Sequence, residues 1–159
     1  MLHSSDQKTI FENLSEATKK LVEENFESFS CRVGAVIFEQ GAPAEFLYLL
    51  LQGSVSARYK PYDGPKINLT TIHAGGAFGW SAVIGGPQYT LDAVALENLQ
   101  AIRIRGAALR ALVNEHPLEG AELLDRLAQL VSNRWKDANR QVRAILEQAV
   151  PRDHGKEVK

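Results

Sequence analysis

Gly75-Gly76-Ala77-Phe78-Gly79-Trp80-Ser81-Ala82 is the stretch that decides the fold of this chain. It joins a glycine-rich turn to the start of a short predicted helix. Glycine has no Cβ, so its backbone can approach a ligand closely. The unpaired N–H groups at the start of a helix carry partial positive charge and receive anions well. The stretch therefore predicts an anion cradle, although such a turn taken alone more commonly serves only to reverse the chain.

The composition is that of a globular protein. The chain has 159 residues, of which 45% are hydrophobic and 23% are charged, and its net charge is −1. This length predicts one domain with a full core. The small net charge provides no basic field for nucleic acid or an anionic membrane. The single cysteine, Cys31, excludes an internal disulfide and a multi-cysteine metal site.

Neither targeting nor membrane signals are present in the sequence. The first six residues lack the basic and apolar regions of a signal peptide. No apolar run approaches the ~18 residues that a membrane span needs. We therefore expect a cytoplasmic protein without membrane insertion.

The hydrophobic pattern divides the chain into four parts. Residues 1–28 have helical spacing, with Ser15 as a candidate N-cap. Residues 29–105 contain short β-rich runs between turn residues, which is typical of a small sandwich or barrel. Residues 106–150 predict a short helix followed by a long one, and 151–159 form a charged tail.

The long C-terminal helix is expected to run from about residue 118 to 149, after a break at His116-Pro117. Leu123, Leu127 and Leu130 widen its apolar face, so part of it is expected to pack on its own domain. An alternating 4-3 seam predicts a left-handed coiled coil, and hence a two-fold homodimer. The predicted dimer contacts are Leu124, Ala128, Val131, Trp135, Ala138, Val142 and Ile145.

Two further glycine-punctuated runs precede the opening stretch. They are residues 34–41, GAVIFEQG, and residues 46–55, FLYLLLQGSV. Together with residues 72–79, this order resembles the cyclic nucleotide-binding domain of the catabolite-activator and Fnr type, over about residues 10–148. The resemblance implies an α+β, mainly β fold: a β-roll (a jelly roll, or double-stranded β-helix) flanked by N-terminal helices and a long C-terminal dimerisation helix. Residues 75–91 then correspond to the family's phosphate-binding cassette.

The cassette departs from the family pattern at two positions. The family's cassette has a Glu that accepts a hydrogen bond from the ribose 2′-hydroxyl, and an Arg that pairs with the cyclic phosphate. Aligned without gaps, Trp80 stands in the place of the Glu and Tyr89 in the place of the Arg, while Thr90 keeps the hydroxyl position. A shift of one position would put Thr90 at the place of the Arg instead, which does not restore the charge. Neither replacement supplies the lost function at neutral pH. A hydrogen bond to a charged group contributes about 1.5–3 kcal/mol, so its loss would weaken binding roughly ten- to a hundred-fold or more.

The candidate site follows from this alignment. Arg58, on an inner strand, and Arg134, on the long helix, are candidate further contacts, with solvated helix surface as the alternative for Arg134. Asp92 and Glu97, just beyond the cassette, are expected to be solvated strand residues. The candidate ligand-binding residues are Gly79, Trp80, Ser81, Ala82, Tyr89 and Thr90.

Two functional hypotheses from different classes remain. The first is a cyclic-nucleotide-binding-like regulatory sensor module, which binds a small anionic ligand such as cAMP or cGMP in the cassette and signals through its C-terminal helix to an effector. The second is a degenerate, ligand-free domain that serves dimerisation or protein interaction. No catalytic set is visible and the four histidines lack metal-ligand spacing, so neither an enzyme nor a metal or other cofactor is expected. The sequence stops at Lys159 without a helix-turn-helix, so we expect no direct DNA binding.

Overall fold

The computed structural model describes residues 11–130. A last helix, α4, covers residues 117–130. Before it, the chain forms in order α1 (Glu16–Asn25), β1 (Glu27–Cys31), β2 (Val36–Phe38), β3 (Phe46–Gln52), β4 (Ser54–Tyr59), β5 (Ile67–His73), β6 (Ala77–Phe78), α2 (Ser81–Ile84), β7 (Asp92–Ala95), β8 (Leu99–Arg105) and α3 (Gly106–Glu115).

The strands form two four-stranded sheets with antiparallel pairing. The first has the order β1-β8-β3-β6 and the second the order β2-β7-β4-β5. Residues of both sheets share one buried cluster: Tyr48 and Leu50 of β3 lie in it with Val55 of β4 and Ile72 of β5. The two sheets therefore close over a common interior, and the predicted β-roll is confirmed.

Strand β3 is buried on both of its faces. Leu47, Leu49 and Leu51 belong to the cluster on the helical side of the first sheet. Tyr48 and Leu50, which alternate with them, point into the roll. Since successive side chains of a strand point to opposite faces, the run FLYLLLQ serves both cores at once. This explains why it lacks a polar alternation.

Two turns require glycine because of close backbone approach. Gly53, between β3 and β4, has a φ of +98°, and a Cβ there would lie 2.8 Å from the Leu99 Cβ. Gly79, after β6, has a φ of +90°, and a Cβ there would lie 2.7 Å from the Phe46 carbonyl oxygen. A side chain at either position would be strained by conformation and by contact alike.

The helices begin and end where local signals place them. Ser15 caps α1, because its Oγ accepts a hydrogen bond from the Thr18 N–H at 3.2 Å. His116 leaves the helical region, with a φ of −132°, and separates α3 from α4. Proline at the next position explains this break, since the residue before proline avoids the α region. No helix among residues 11–130 is both long and apolar enough to span a bilayer.

The apolar residues of helix α4 point in two directions, some into the core and others away from it. Leu123 and Leu127 lie fully buried in the helical-side core. Leu124 is 37% exposed and Ala128 is also exposed in the single chain. The remaining predicted dimer contacts (Val131, Trp135, Ala138, Val142 and Ile145), together with Arg134, lie outside the described residues. The homodimer stays a prediction.

The exposed leucine gives a test of that dimer. We expect the chain to sediment as a dimer at micromolar concentration. Leu124→Glu should convert it to a folded monomer, because the substitution places a charge on the seam at a position that the single chain leaves exposed. Leu123→Glu should instead unfold the domain, since it buries an unpaired carboxylate. A monomeric wild type, or a Leu124→Glu variant that remains dimeric, would contradict the predicted seam.

Candidate functional site

The cassette turns sharply from strand β6 into the four-residue helix α2. The left-handed Gly79 makes the turn, and Gly85, with a φ of 87°, ends the helix. The Ala82 N–H donates to the Gly79 carbonyl at 3.2 Å, and the Val83 N–H donates to the Trp80 carbonyl at 2.9 Å. Two of the amides at the start of α2 are therefore already engaged within the turn, which leaves fewer for an anion.

A cavity of about 300 Å³ lies between the cassette and the interior of the roll, and we call it the cassette cavity. Five of the six predicted ligand residues line it: Gly79, Trp80, Ser81, Tyr89 and Thr90. Strands of the second sheet supply the opposite wall, through Ala57, Ile72 and Ala93 among others. Its volume is at the lower end of the range for small-molecule sites.

Tyr89 is tied to the backbone at the start of β3. Its hydroxyl donates to the Phe46 carbonyl at 2.7 Å and accepts from the Phe46 N–H at 2.9 Å. Its ring stacks on Phe38 with the centroids 3.6 Å apart. Burial raises the pKa of the Tyr89 phenol, so the side chain stays neutral at physiological pH. Tyr89, which the sequence alignment places at the family's arginine position, is thus a structural anchor in this fold.

Trp80 contributes no hydrogen-bond acceptor to the site. Its ring lines the cassette cavity and packs against the helical-side core. Its Nε1 is buried and has no hydrogen-bond partner among the described residues. An indole N–H only donates, so the Trp80 side chain cannot accept a hydrogen bond from a ligand hydroxyl.

Asp92 is a residue whose role the sequence analysis missed, and the expectation that it is solvated is wrong. It is 3% exposed and lines the cassette cavity. Its Oδ1 accepts from the Gln40 N–H at 2.7 Å, and its Oδ2 pairs with the Lys66 Nζ at 2.8 Å. Burial alone would raise the pKa of this carboxyl, but the Gln40 N–H and the Lys66 and Arg58 charges lower it. The carboxylate therefore stays ionised and partnered.

Of the three remaining sequence candidates, Arg134 lies outside the described residues, and the other two are not in the cavity wall. Arg58 faces Asp92 across strands β4 and β7, and its Nε donates to the Ser56 Oγ at 3.1 Å. It is not among the residues that line the cassette cavity. Ala82 is buried on the other side of α2, where Arg110 donates to its carbonyl oxygen at 3.1 Å. Among the described lining residues, Asp92 carries the one charge.

A chain of close contacts leads from the cassette to α4. A Cβ at Gly106, the first residue of α3, would collide with the Ala82 carbonyl oxygen. A Cβ at Gly120 of α4 would lie 2.7 Å from the Val113 Cα of α3. Glycines inside predicted helices were the available signal for these contacts. Within the described part of the chain, no group of three or more His, Cys, Asp or Glu residues is placed to hold a metal ion.

The contribution of the Tyr89 hydroxyl to the stability of the domain can be measured directly. Tyr89→Phe should lower the free energy of unfolding by about 1–3 kcal/mol, because it leaves buried Phe46 backbone groups without this partner. Tyr62→Phe is the matched control, since Tyr62 is fully exposed, and it should change stability by less than about 0.5 kcal/mol. Urea denaturation measures both. Equal stabilities for the two variants would show that the hydroxyl does not anchor the cassette.

Two curated proteins are similar in sequence to part of this chain. Among curated proteins, the chain is 31% identical over 96 residues to Rap guanine nucleotide exchange factor 1 of Caenorhabditis elegans, covering 60% of this chain and 9% of that protein. It is 23% identical over 118 residues to the CRP-like cAMP-activated global transcriptional regulator of Mycobacterium tuberculosis, covering 74% of this chain and 51% of the regulator. The chain thus spans about half or less of the length of these two relatives.

A solved structure extends the comparison to nearly a whole chain. A cyclic nucleotide-binding protein from Geobacter metallireducens GS-15 superposes with a TM-score of 0.71 at 27% sequence identity, covering 85% of this chain and 99% of that one. The family model described as cyclic nucleotide-binding domain matches residues 29–116, more than half of the chain. The chain therefore belongs to the cyclic nucleotide-binding domain family.

Proposed function

We propose that this domain is a regulatory sensor module that binds a small ligand in the cassette cavity and passes its occupancy to helix α4. The observation that carries the proposal is the position of α2. Ser81 and Ile84 of this short helix line the cavity, while the Ala82 carbonyl between them accepts from Arg110 of α3. A ligand that displaces α2 must therefore displace a group that α3 holds.

The contacts beyond α2 are tight enough to transmit that displacement. Gly106 and Gly120 bring α2, α3 and α4 together without intervening side chains. Closely packed elements respond to a shift by moving as units rather than by deforming continuously. In this proposal α4 is the responding element, and it carries the signal to a second copy of the chain or to an effector.

Helix α4 is also fastened to the N-terminal helix. The Glu122 carboxylate accepts from the Ser15 N–H at 3.0 Å, from the Ser15 Oγ at 2.9 Å and from the Thr18 Oγ1 at 2.5 Å. These bonds from Thr18 and Ser15 lower the pKa of Glu122. They also place a negative charge at the positive end of α1. A ligand-driven movement of α4 would have to carry α1 along or break this contact.

The ligand predicted from the sequence is a small anion, and cAMP and cGMP are the candidates. The Mycobacterium tuberculosis relative is named as cAMP-activated. This chain lacks the two side chains that would recognise such a ligand, and its cavity wall contains Asp92. We therefore expect at most millimolar affinity for either cyclic nucleotide. The proposed ligand contacts are the cassette residues that line the cavity, Gly79, Trp80, Ser81, Tyr89 and Thr90.

A ligand-free interaction module is the second candidate. The observation that supports it is the packing of Tyr89, which is hydrogen-bonded to Phe46 and stacked on Phe38. A core side chain therefore stands where the sequence alignment places the family's phosphate-binding arginine. The cassette cavity weighs against it, because a domain retained only for assembly has no use for about 300 Å³ of open space next to α2. We therefore place the sensor role first.

The proposed transmission can be tested without knowing the ligand. Ala93→Leu adds three carbon atoms inside the cassette cavity and imitates occupancy. Hydrogen–deuterium exchange of α3 and of residues 117–130 should then differ from the wild type. Ala17→Leu, at an exposed position of α1, is the control and should leave both segments unchanged. A change confined to β4, β5 and β7 would contradict the sensor role.

Calorimetric titration tests the ligand. The wild type should bind cAMP and cGMP with at most millimolar affinity. The double variant Trp80→Glu/Tyr89→Arg restores both family side chains and should gain at least about tenfold in affinity, which corresponds to ~1.4 kcal/mol. Circular dichroism checks that the variant folds. Micromolar binding by the wild type would show that Trp80 and Tyr89 do not bar the nucleotide.

A further inference from the structure

The space inside the cassette cavity is opened by a pair of facing alanines. Ala57 of β4 and Ala93 of β7 are direct partners in the antiparallel register. Both line the cavity, and they are 5% and 2% exposed. Directly opposite side chains are near neighbours on a sheet, so two methyl groups leave room that a larger residue at either position would fill.

The walls beside this pair are apolar and rich in rings. Phe38, Phe78, Trp80 and Tyr89 all line the cavity. Ile84 of α2, another lining residue, is 78% exposed. A cavity lined mainly by hydrophobic and aromatic side chains is typical of small-molecule sites. Aromatic walls favour a flat ring, which can stack on them or meet them edge-on.

The charged groups at the cavity are already engaged with one another or with neighbouring polar groups, which does not favour an ionic ligand. An anion would lie near the Asp92 carboxylate, which is the one charged group among the described lining residues. The neighbouring cations are engaged elsewhere: Lys66 pairs with Asp92, and the Arg58 Nε donates to the Ser56 Oγ. A cation would have to displace Lys66, which already pairs with Asp92 at 2.8 Å. Transfer of an unpaired charge into such a site is strongly unfavourable. The Tyr89 hydroxyl is engaged with Phe46 through both its donor and an acceptor position.

From these observations we infer that the cassette cavity binds a neutral, ring-bearing, largely apolar small molecule. The inference rests on the proposed function, because it takes the same cavity as the ligand site. The inferred ligand belongs to a different class from that of the family. The family's cassette receives an anion, whereas here we infer that the cavity beside the cassette receives an apolar molecule. Tyr89, which the sequence alignment places at the family's arginine, is bonded to the Phe46 backbone, and the cavity is lined by the alanine pair on one side and by aromatic rings on the other.

A matched pair of dyes tests the ligand class. N-phenyl-1-naphthylamine is neutral, and 8-anilinonaphthalene-1-sulfonate has the same ring frame with an added sulfonate. Both fluoresce more strongly in apolar surroundings, so titration of the intact chain gives an affinity for each. We expect the neutral dye to bind at least about tenfold more tightly than the sulfonate.

Variants locate the bound dye. Ala93→Leu should weaken binding of the neutral dye at least about tenfold, whereas Ala17→Leu should leave it unchanged. Ala57→Val is a smaller substitution in the same wall and replaces Ala93→Leu if circular dichroism shows that the larger one fails to fold. Equal affinity for the two dyes, or binding that neither cavity variant weakens, would overturn the inference.

The remaining outcomes separate the ligand class from the sensor role. If the neutral dye binds in the cavity but leaves the hydrogen exchange of α3 and α4 unchanged, the ligand class is supported and the transmission is contradicted. If cAMP or cGMP binds and the neutral dye does not, the ligand class is overturned while the sensor role stands. If neither dye nor nucleotide binds, both proposals fail.

Discussion

The backbone at the start of β3 holds the cassette at both of its ends. At the first end, Gly79 lies so close to the Phe46 carbonyl that only a residue without Cβ fits. At the second end, the Tyr89 hydroxyl bonds the Phe46 N–H and carbonyl. The neighbouring Glu45 carbonyl accepts from the Gly106 N–H at 2.9 Å and so fixes the start of α3. One short piece of backbone therefore positions the cavity wall and the helix that follows it.

This arrangement connects the proposed change of ligand class with the way in which the cassette is fixed. A charged arginine in place of Tyr89 would reach toward a ligand and would need one to offset its burial. The neutral tyrosine satisfies its own polar group on Phe46 and stacks on Phe38. The cassette is thereby held in place without a ligand, and the space that remains is apolar. In the proposed function, occupancy of the cavity is transmitted through α2, which also contacts α3.

The parts of the structure that depend on local signals could be predicted from the sequence. Ser15 caps α1, proline after His116 breaks the helices, and the glycine spacing marks the turns of the roll, because each effect acts within a few residues. The burial of Asp92 could not be predicted in this way. Its partners, Gln40 and Lys66, are distant in sequence, and only the closed roll brings them together.

Other features of the site could not be predicted because they arise only when residues that are distant in sequence come together. Ala57 and Ala93 look like ordinary strand residues, and their effect, an empty space, appears only when β4 and β7 pair. The contact of Glu122 with Ser15 likewise joins residues at opposite ends of the described chain. The replacement of both recognition side chains was visible in the sequence. The sequence did not show whether Trp80 and Tyr89 line a cavity or fill it, because that depends on the direction in which the Tyr89 side chain points.

The central claim is that the anchored Tyr89 leaves an apolar ligand cavity beside α2. A crystal structure of the chain grown with excess N-phenyl-1-naphthylamine tests it most directly. We predict ring density between the Ala57–Ala93 wall and Phe78, with the Tyr89 hydroxyl still bonded to the Phe46 backbone. An empty cavity, or a Tyr89 side chain swung away from Phe46 with an anion at the start of α2, would contradict the claim.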